Sequence, residues 1–275
     1  MKIKTFLMAV FAITLFIACS EQESNPITSN SNSVDLQKNW QERALTTDFF
    51  DNQKSVSHYD FSKKDIERAF ENSTLNRFRF VLGLENNQIV ISMVGVDEKG
   101  NELTSINSTV FFDSELYHSS IKNLENSSYE YSRTRIEAPI IGKHLLSHSA
   151  TFDYVDKWSK ALASQNIEEM ITDSGVRYRY YTIEKEVIVH LISKANTESI
   201  ALFLGLNAEN ELTTVLLGKD ENNQLTPNNT NRSGDEIFDF TNPCPNACKM
   251  GDCPDGKSRP CGETCSDGSK PTNCR

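Results

Sequence analysis

From Arg77 the chain alternates, with Phe78, Phe80, Leu82 and Leu84 on one parity, which is the period of a half-buried strand. Glu85-Asn86-Asn87 interrupts the run, residues 88–96 return as a second strand, and Asp97-Glu98-Lys99-Gly100-Asn101 turns again. Ahead of this pair, Ser62-Lys63-Lys64-Asp65 has the form of a capping box, so a helix is expected to start there. A short apolar strand is predicted at Val110-Phe111-Phe112-Asp113.

The same pattern occurs twice. Residues 59–84, YDFSKKDIERAFENSTLNRFRFVLGL, align without a gap to residues 181–206, YTIEKEVIVHLISKANTESIALFLGL, at a constant offset of 122. Tyr59 falls on Tyr181, Ile66 on Ile188, Phe70 on Ile192, Phe80 on Leu202, and Leu82-Gly83-Leu84 on Leu204-Gly205-Leu206. Asn101-Glu102-Leu103-Thr104 falls on Asn223-Gln224-Leu225-Thr226 at the same offset. Such self-similarity marks a duplicated unit. In the second copy Ile183, Val187, Ile188, Leu191 and Ile192 favour a strand by composition, but their i, i+4, i+5, i+8, i+9 spacing is helical, and helix is the expectation. Ile237-Phe238-Asp239-Phe240 is expected to be the counterpart of residues 110–113. A further helix is expected before each copy, carrying Trp40-Gln41-Glu42-Arg43-Ala44-Leu45 in one and Trp158-Ser159-Lys160-Ala161-Leu162 in the other. Arg177-Tyr178-Arg179-Tyr180-Tyr181 alternates as a strand entering a sheet does.

The predicted fold class is α+β: two tandem repeats of a small antiparallel sheet with a packed helix, plus a disulfide-rich tail. The repeats are expected over residues 35–113 and 151–242, a connector over 114–150 and the cysteine-rich tail over 243–275. The strings Leu82-Gly83-Leu84, Met93-Val94-Gly95-Val96-Asp97 and Gly100-Asn101-Glu102-Leu103, with their copy, resemble a duplicated repeat of Bacteroidota-type surface lipoproteins that end in a proline-cysteine tail. The resemblance covers residues 77–103 and the matching second stretch, and it implies no activity.

The chain's ends change the picture more than its composition does. Lys2 and Lys4 open an N-terminus whose residues 6–18 are apolar apart from Thr14, about half the length needed to cross a bilayer, which is the layout of a signal peptide over residues 1–18. Phe16-Ile17-Ala18-Cys19 resembles the lipobox of bacterial lipoproteins, departing from it at Phe16, where leucine is usual. The resemblance implies cleavage before Cys19, a diacylglycerol on its thiol and an acyl chain on its new amino group. At roughly 0.8 kcal/mol per buried methylene, two or three chains anchor a protein where one does not. Ser20-Glu21-Gln22-Glu23 resembles the serine-plus-acidic signal that sends such lipoproteins to the exterior face of the outer membrane. Residues 19–34 are expected to be a flexible tether, with a reach of roughly 20 Å by the square-root rule for flexible chains. An ordinary signal peptide with an incidental cysteine is the competing account, and cysteine parity opposes it: six of the seven cysteines lie between positions 244 and 274.

Those six, Cys244, Cys248, Cys253, Cys261, Cys265 and Cys274, occur in a segment whose other apolar side chains are Ala247 and Met250, too few for a core. Three disulfides are the expectation outside the cytoplasm, with the pairing open. A thiolate metal site is the alternative, opposed by the lack of histidine in the tail and of C-x2-C spacing.

The formal net charge of −10 falls to −12 once Lys2 and Lys4 are removed with the signal, which excludes nucleic acid and anionic lipid as natural partners of the body. Residues 251–258, GDCPDGKS, satisfy the phosphate-loop expression, but that chemistry needs a strand before the loop and a helix after it. His144 and His148 are four apart and can share a helix face, without the glutamate of a HExxH site. No G-x-S-x-G elbow occurs, and carboxylates concentrate at turns such as Asp97-Glu98 and Asp220-Glu221. No catalytic residue, metal ligand or cofactor is expected, and the chain is expected not to be an enzyme. It reads as a lipid-anchored binding or structural protein of the outer membrane, facing the exterior, held by acyl chains on Cys19, with a protein or glycan partner of unknown identity. The alternatives are a surface hydrolase acting on envelope or extracellular polymers, and an inhibitor-type protein that binds through the cysteine-rich tail.

Overall fold

The computed structural model describes residues 33–112, 121–122, 124–125, 139–194, 196–225, 237–239, 243–244, 250–252 and 258–260. In chain order these form α1 (Ser33–Glu42), α2 (Thr47–Lys54), β1 (Val56–Ser62), α3 (Lys63–Phe70), β2 (Arg77–Glu85), β3 (Gln88–Val96), β4 (Glu102–Asn107) and β5 (Thr109–Phe112). Then come α4 (Pro139–Gly142), β6 (Leu145–Leu146), α5 (His148–Ser164), β7 (Thr172–Asp173), β8 (Val176–Arg177), β9 (Tyr180–Glu184), α6 (Lys185–Ile192), β10 (Ser199–Leu206) and β11 (Leu212–Lys219). The last are β12 (Ile237–Asp239), β13 (Pro243–Cys244), β14 (Met250–Asp252) and β15 (Ser258–Pro260). The class is α+β, and every described strand pairing is antiparallel.

Local signals act as their chemistry dictates. The Ser62 hydroxyl accepts from the Asp65 amide at 3.2 Å and opens α3. Asn86 and Asn87 hold φ of 49° and 57° in the two-residue turn between β2 and β3, the left-handed pair that matches strand twist. Ile183 departs from the helical expectation: it lies in β9, and the helix begins two residues later at Lys185. Its side chain is in the core either way, so spacing alone did not separate the two states.

The sheets depart further from expectation. One has the order β5-β1-β10-β11-β12-β6 and the other β13-β9-β2-β3-β4. Neither half of the chain owns a sheet, because the strand that opens each copy of the matched stretch, β1 or β9, is inserted in the sheet built by the other. Tyr59 lies opposite Leu202 and Phe61 opposite Ile200, while Tyr181 lies opposite Phe80 and Ile183 opposite Phe78. Each pairing maps onto the other at the offset of 122. The Lys63 amide donates to the Glu198 carbonyl, and the Lys185 amide donates to the Asn76 carbonyl at the same offset. The eight-residue helices α3 and α6, about 12 Å long, carry the chain from one sheet to the other. Residues 110–113 and 237–240 are not positional counterparts: β5 flanks β1, whereas β12 flanks β11, and the strand in β5's place in the other sheet is β13, beside β9.

Phe78, Phe80, Leu82 and Leu84 of β2 share one core with Ile200, Leu202, Leu204 and Leu206 of β10, so the two sheets face each other through these rows. Phe61 meets Phe80 edge-on across the gap, with ring centroids 5.4 Å apart. Ile66 and Ala69 of α3, and Val187, Ile188, Leu191 and Ile192 of α6, complete that core. The outer face of the six-stranded sheet carries Ala201, Phe203, Val215 and Leu217 under Phe152, Tyr154 and Val155 of α5. The glycines of the two LGL strings have one job. A Cβ on Gly83 would lie 2.9 Å from Leu36 Cβ of α1, and one on Gly205 would lie 3.0 Å from Tyr154 Cβ of α5. Helices α1 and α5 therefore cross the outer faces where the strand has no side chain.

Candidate binding cleft and a buried ion pair

Helix α5 is fixed at its start by the Ser147 hydroxyl, which accepts from the Ala150 amide at 3.1 Å, and ends at Gln165 with a left-handed φ of 56°. Steps of three and four along it place Phe152, Val155, Trp158 and Leu162 on one face. With Tyr59 of β1, Phe203 and Leu204 of β10, Gln53 of α2 and helical residue Ile121, they enclose a cleft of about 400 Å³. Lys54, Lys122, Asp156 and Ser159 form its rim. The inner wall is braced across both sheets: Gln53 Nε2 donates to the Tyr59 hydroxyl at 3.0 Å, and Gln53 Oε1 accepts from the Ile89 amide at 3.0 Å. Burial pushes the Tyr59 phenol well above its ordinary range, so it stays neutral. Apolar walls with a few placed polar groups are the usual composition of a ligand site.

Beside the cleft, on the outer face of the six-stranded sheet, is a group of buried ionisable side chains. Lys219 Nζ lies 2.8 Å from Asp60 Oδ2 and 4.1 Å from the centre of the Phe111 ring. Lys219 is 1% exposed and Asp60 15%, so water screens the pair little. Burial raises the Asp60 carboxyl above its ordinary value, an effect that Lys219 partly opposes. His58 stacks on Phe111 at 4.7 Å and on Phe203 at 5.3 Å. Burial first, and the Lys219 charge second, lower its pKa to about 3. The Ser57 hydroxyl, on the cleft wall, is 3.2 Å from His58 Nδ1. A base held near 3 is a poor acceptor for a serine proton at neutral pH.

The five-stranded sheet supplies an internal comparison. Register places Tyr180 where the first has His58, Thr182 where it has Asp60, and Val96 where it has Lys219. Val96 and Tyr180 belong there to a small apolar cluster with Val81 and Val94. The architecture therefore accepts apolar and neutral residues at these places.

Two other polar contacts are structural. Arg177 grips both carboxylate oxygens of Glu168, at 3.0 and 2.9 Å, and donates from Nη1 to the carbonyls of Trp40 and Arg43, each at 2.7 Å, closing the C-terminal end of α1. His144 Nε2 lies 2.8 Å from Glu184 Oε2, and this bond holds the Glu184 carboxyl down at about 2.

His144 and His148 do not share a helix face: His144 lies in the bend before β6 and His148 opens α5, because Ser147 caps a helix that starts after the first histidine. Among the described residues, no group of three or more His, Cys, Asp or Glu is arranged to hold a metal ion, and no helix is long and apolar enough to cross a membrane. The carboxylate of Asp97 accepts from the Asn101 amide at 2.8 Å, and that of Asp220 from the amides of Asn222 and Gln224 at 2.9 Å, so these turn acids serve their own loops. Gly251-Asp252 and Ser258 pair as two antiparallel strands, so the stretch that fits the phosphate-loop expression leads into a strand instead of a helix. Cys244 lies in β13 against β9. Cys19, Cys248, Cys253, Cys261, Cys265 and Cys274 lie outside the described residues. Neither the cleft nor the Lys219–Asp60 pair is legible in the sequence, since each joins residues far apart in the chain. The available signal was parity, which places Lys219 in the row of Val215 and Leu217.

No protein-family model, curated protein or solved structure matches the chain.

Proposed function

We propose that the chain is a lipid-anchored cell-surface protein that binds an apolar group of a partner in the cleft between α2, β1 and α5, without turning it over. The observation that carries the binding reading is the cleft itself: aromatic and aliphatic walls braced by hydrogen bonds that are already satisfied. The anchor is Cys19, the tether residues 19–32, ending where α1 begins at Ser33, and the exposed face the exterior of the outer membrane. The two halves are copies of one unit that exchanged their first strands, a reading supported by the equal registers of Tyr59 with Leu202 and Tyr181 with Phe80. The tail over 243–275 is held by three disulfides among Cys244, Cys248, Cys253, Cys261, Cys265 and Cys274.

Trp40 and Trp158 are the only tryptophans, so the Trp40→Phe variant leaves one reporter, in the cleft wall. Titrating it with anilinonaphthalene sulfonate, an aromatic apolar anion, should give saturable quenching of Trp158 that Phe152→Glu abolishes while the circular dichroism spectrum is retained. Unchanged Trp158 emission would count against the cleft. A hydrolase is the second reading, favoured by the Ser57–His58 contact and opposed by the low basicity of His58. Its signature is covalent capture of a fluorophosphonate at Ser57, and the binding reading expects none.

A further inference from the structure

We propose that Lys219 and Asp60 are joined by an amide bond between Lys219 Nζ and Asp60 Cγ, a self-made cross-link that rivets β1 to the sheet of the other half. The two groups are already in contact at 2.8 Å. They approach across one intervening strand, β10, where the small Ala201 lies opposite Asp60 and leaves a lane for the lysine chain.

The fold itself does not ask for these charges. The corresponding positions of the other sheet are Thr182 and Val96, and a buried ion pair commonly loses more by desolvation than it regains by attraction. An amide removes both charges and keeps the connection. Burial raises the Asp60 carboxyl toward its acid form, the form that the amine attacks, and with Lys219 1% and Asp60 15% exposed the pair is largely closed to water. Holding amine and acid in contact replaces a bimolecular encounter with an internal one, worth effective molarities on the order of 10⁵ M or more for well-oriented groups.

The atoms balance within the pair. A proton passes from the ammonium to the carboxylate, and the freed amine attacks Cγ to give a tetrahedral carbon. A C–O bond then breaks as a second nitrogen proton joins the departing hydroxyl. One water leaves, an amide N–H remains, and no oxidant, reductant or cofactor takes part. Because β1 is the strand that the first half lends to the second, the bond would lock the exchange in place.

Trypsin tests this on the intact, reduced protein, and the readout is blind to whatever Cys19 carries. Cleavage after Lys219 should be blocked, and residues 55–63 should be recovered joined to residues 195–232 at a mass one water below the sum of the two peptides. Lys219→Arg should release 55–63 as a free peptide whether or not that variant folds. Recovery of free, unmodified 55–63 together with 195–219 in full yield from the wild-type protein would overturn the proposal and leave the pair as a salt bridge.

Discussion

Single side chains in this molecule are most informative where they titrate or make several bonds at once. His58 has a folded pKa of about 3 against 6.5 for an ordinary histidine. The unfolded chain therefore binds a proton at His58 that the folded chain refuses. Its contribution to stability is complete above pH 6.5 and is lost as pH falls toward 3, by about 1.4 kcal/mol per pH unit for one such site. Glu184, held down at about 2 by His144, adds a loss in a lower window, from its ordinary value near 4.5 toward 2. Urea denaturation at pH 7, 6 and 5 should show a falling midpoint, and His58→Phe, which keeps a ring between Phe111 and Phe203, should flatten that dependence. An equally steep fall in the variant would show that His58 is not its source. Arg177 is a different case, because its fork engages one carboxylate and two carbonyls. A lysine cannot reproduce that fork, so Arg177→Lys should cost about 2–3 kcal/mol in denaturant unfolding.

At the scale of elements, β2, β3, α3 and the turns between them were legible because each is specified by local chemistry: parity, a capping serine, paired asparagines. What parity specifies is a face, never a partner. Tyr59 and Tyr181 are matched apolar positions in the sequence, yet nothing local tells a strand whether to pair within its own half or across. That choice is decided by where a short helix can deliver the next strand. Residues 110–113 and 237–240 were matched for the same reason, since a four-residue apolar run carries almost no register. The candidate cleft was illegible, because its walls come from α2, β1, α5 and β10. The glycines of the LGL strings allow a sharp check on helix placement. Gly205→Ala forces a methyl against the Tyr154 Cβ and backbone, and Gly83→Ala forces one against Leu36. Each should destabilise by about 1–3 kcal/mol, as overpacked positions do, and Tyr154→Gly should recover little of the Gly205→Ala loss because the backbone of α5 still blocks the site.

For the whole molecule, each large sheet mixes strands from both halves, so unfolding should be a single cooperative transition seen alike by Trp40 in α1 and Trp158 in α5. Two separate transitions from single-tryptophan variants would mean that the sheets are independent bodies. Residues 19–275 also carry a formal net charge of −12 and offer an apolar cleft, which suits the displayed binding protein proposed here, with its hold on the membrane supplied by the proposed lipid. That anchor is the claim on which compartment, oxidised tail and outward display all depend. Mass spectrometry of the N-terminal peptide from membrane-extracted protein tests it most directly. The expected peptide begins at Cys19 and carries a thioether-linked diacylglycerol with an acylated amino group. A peptide that begins at Met1, or one that contains an unmodified Cys19 thiol, would contradict it.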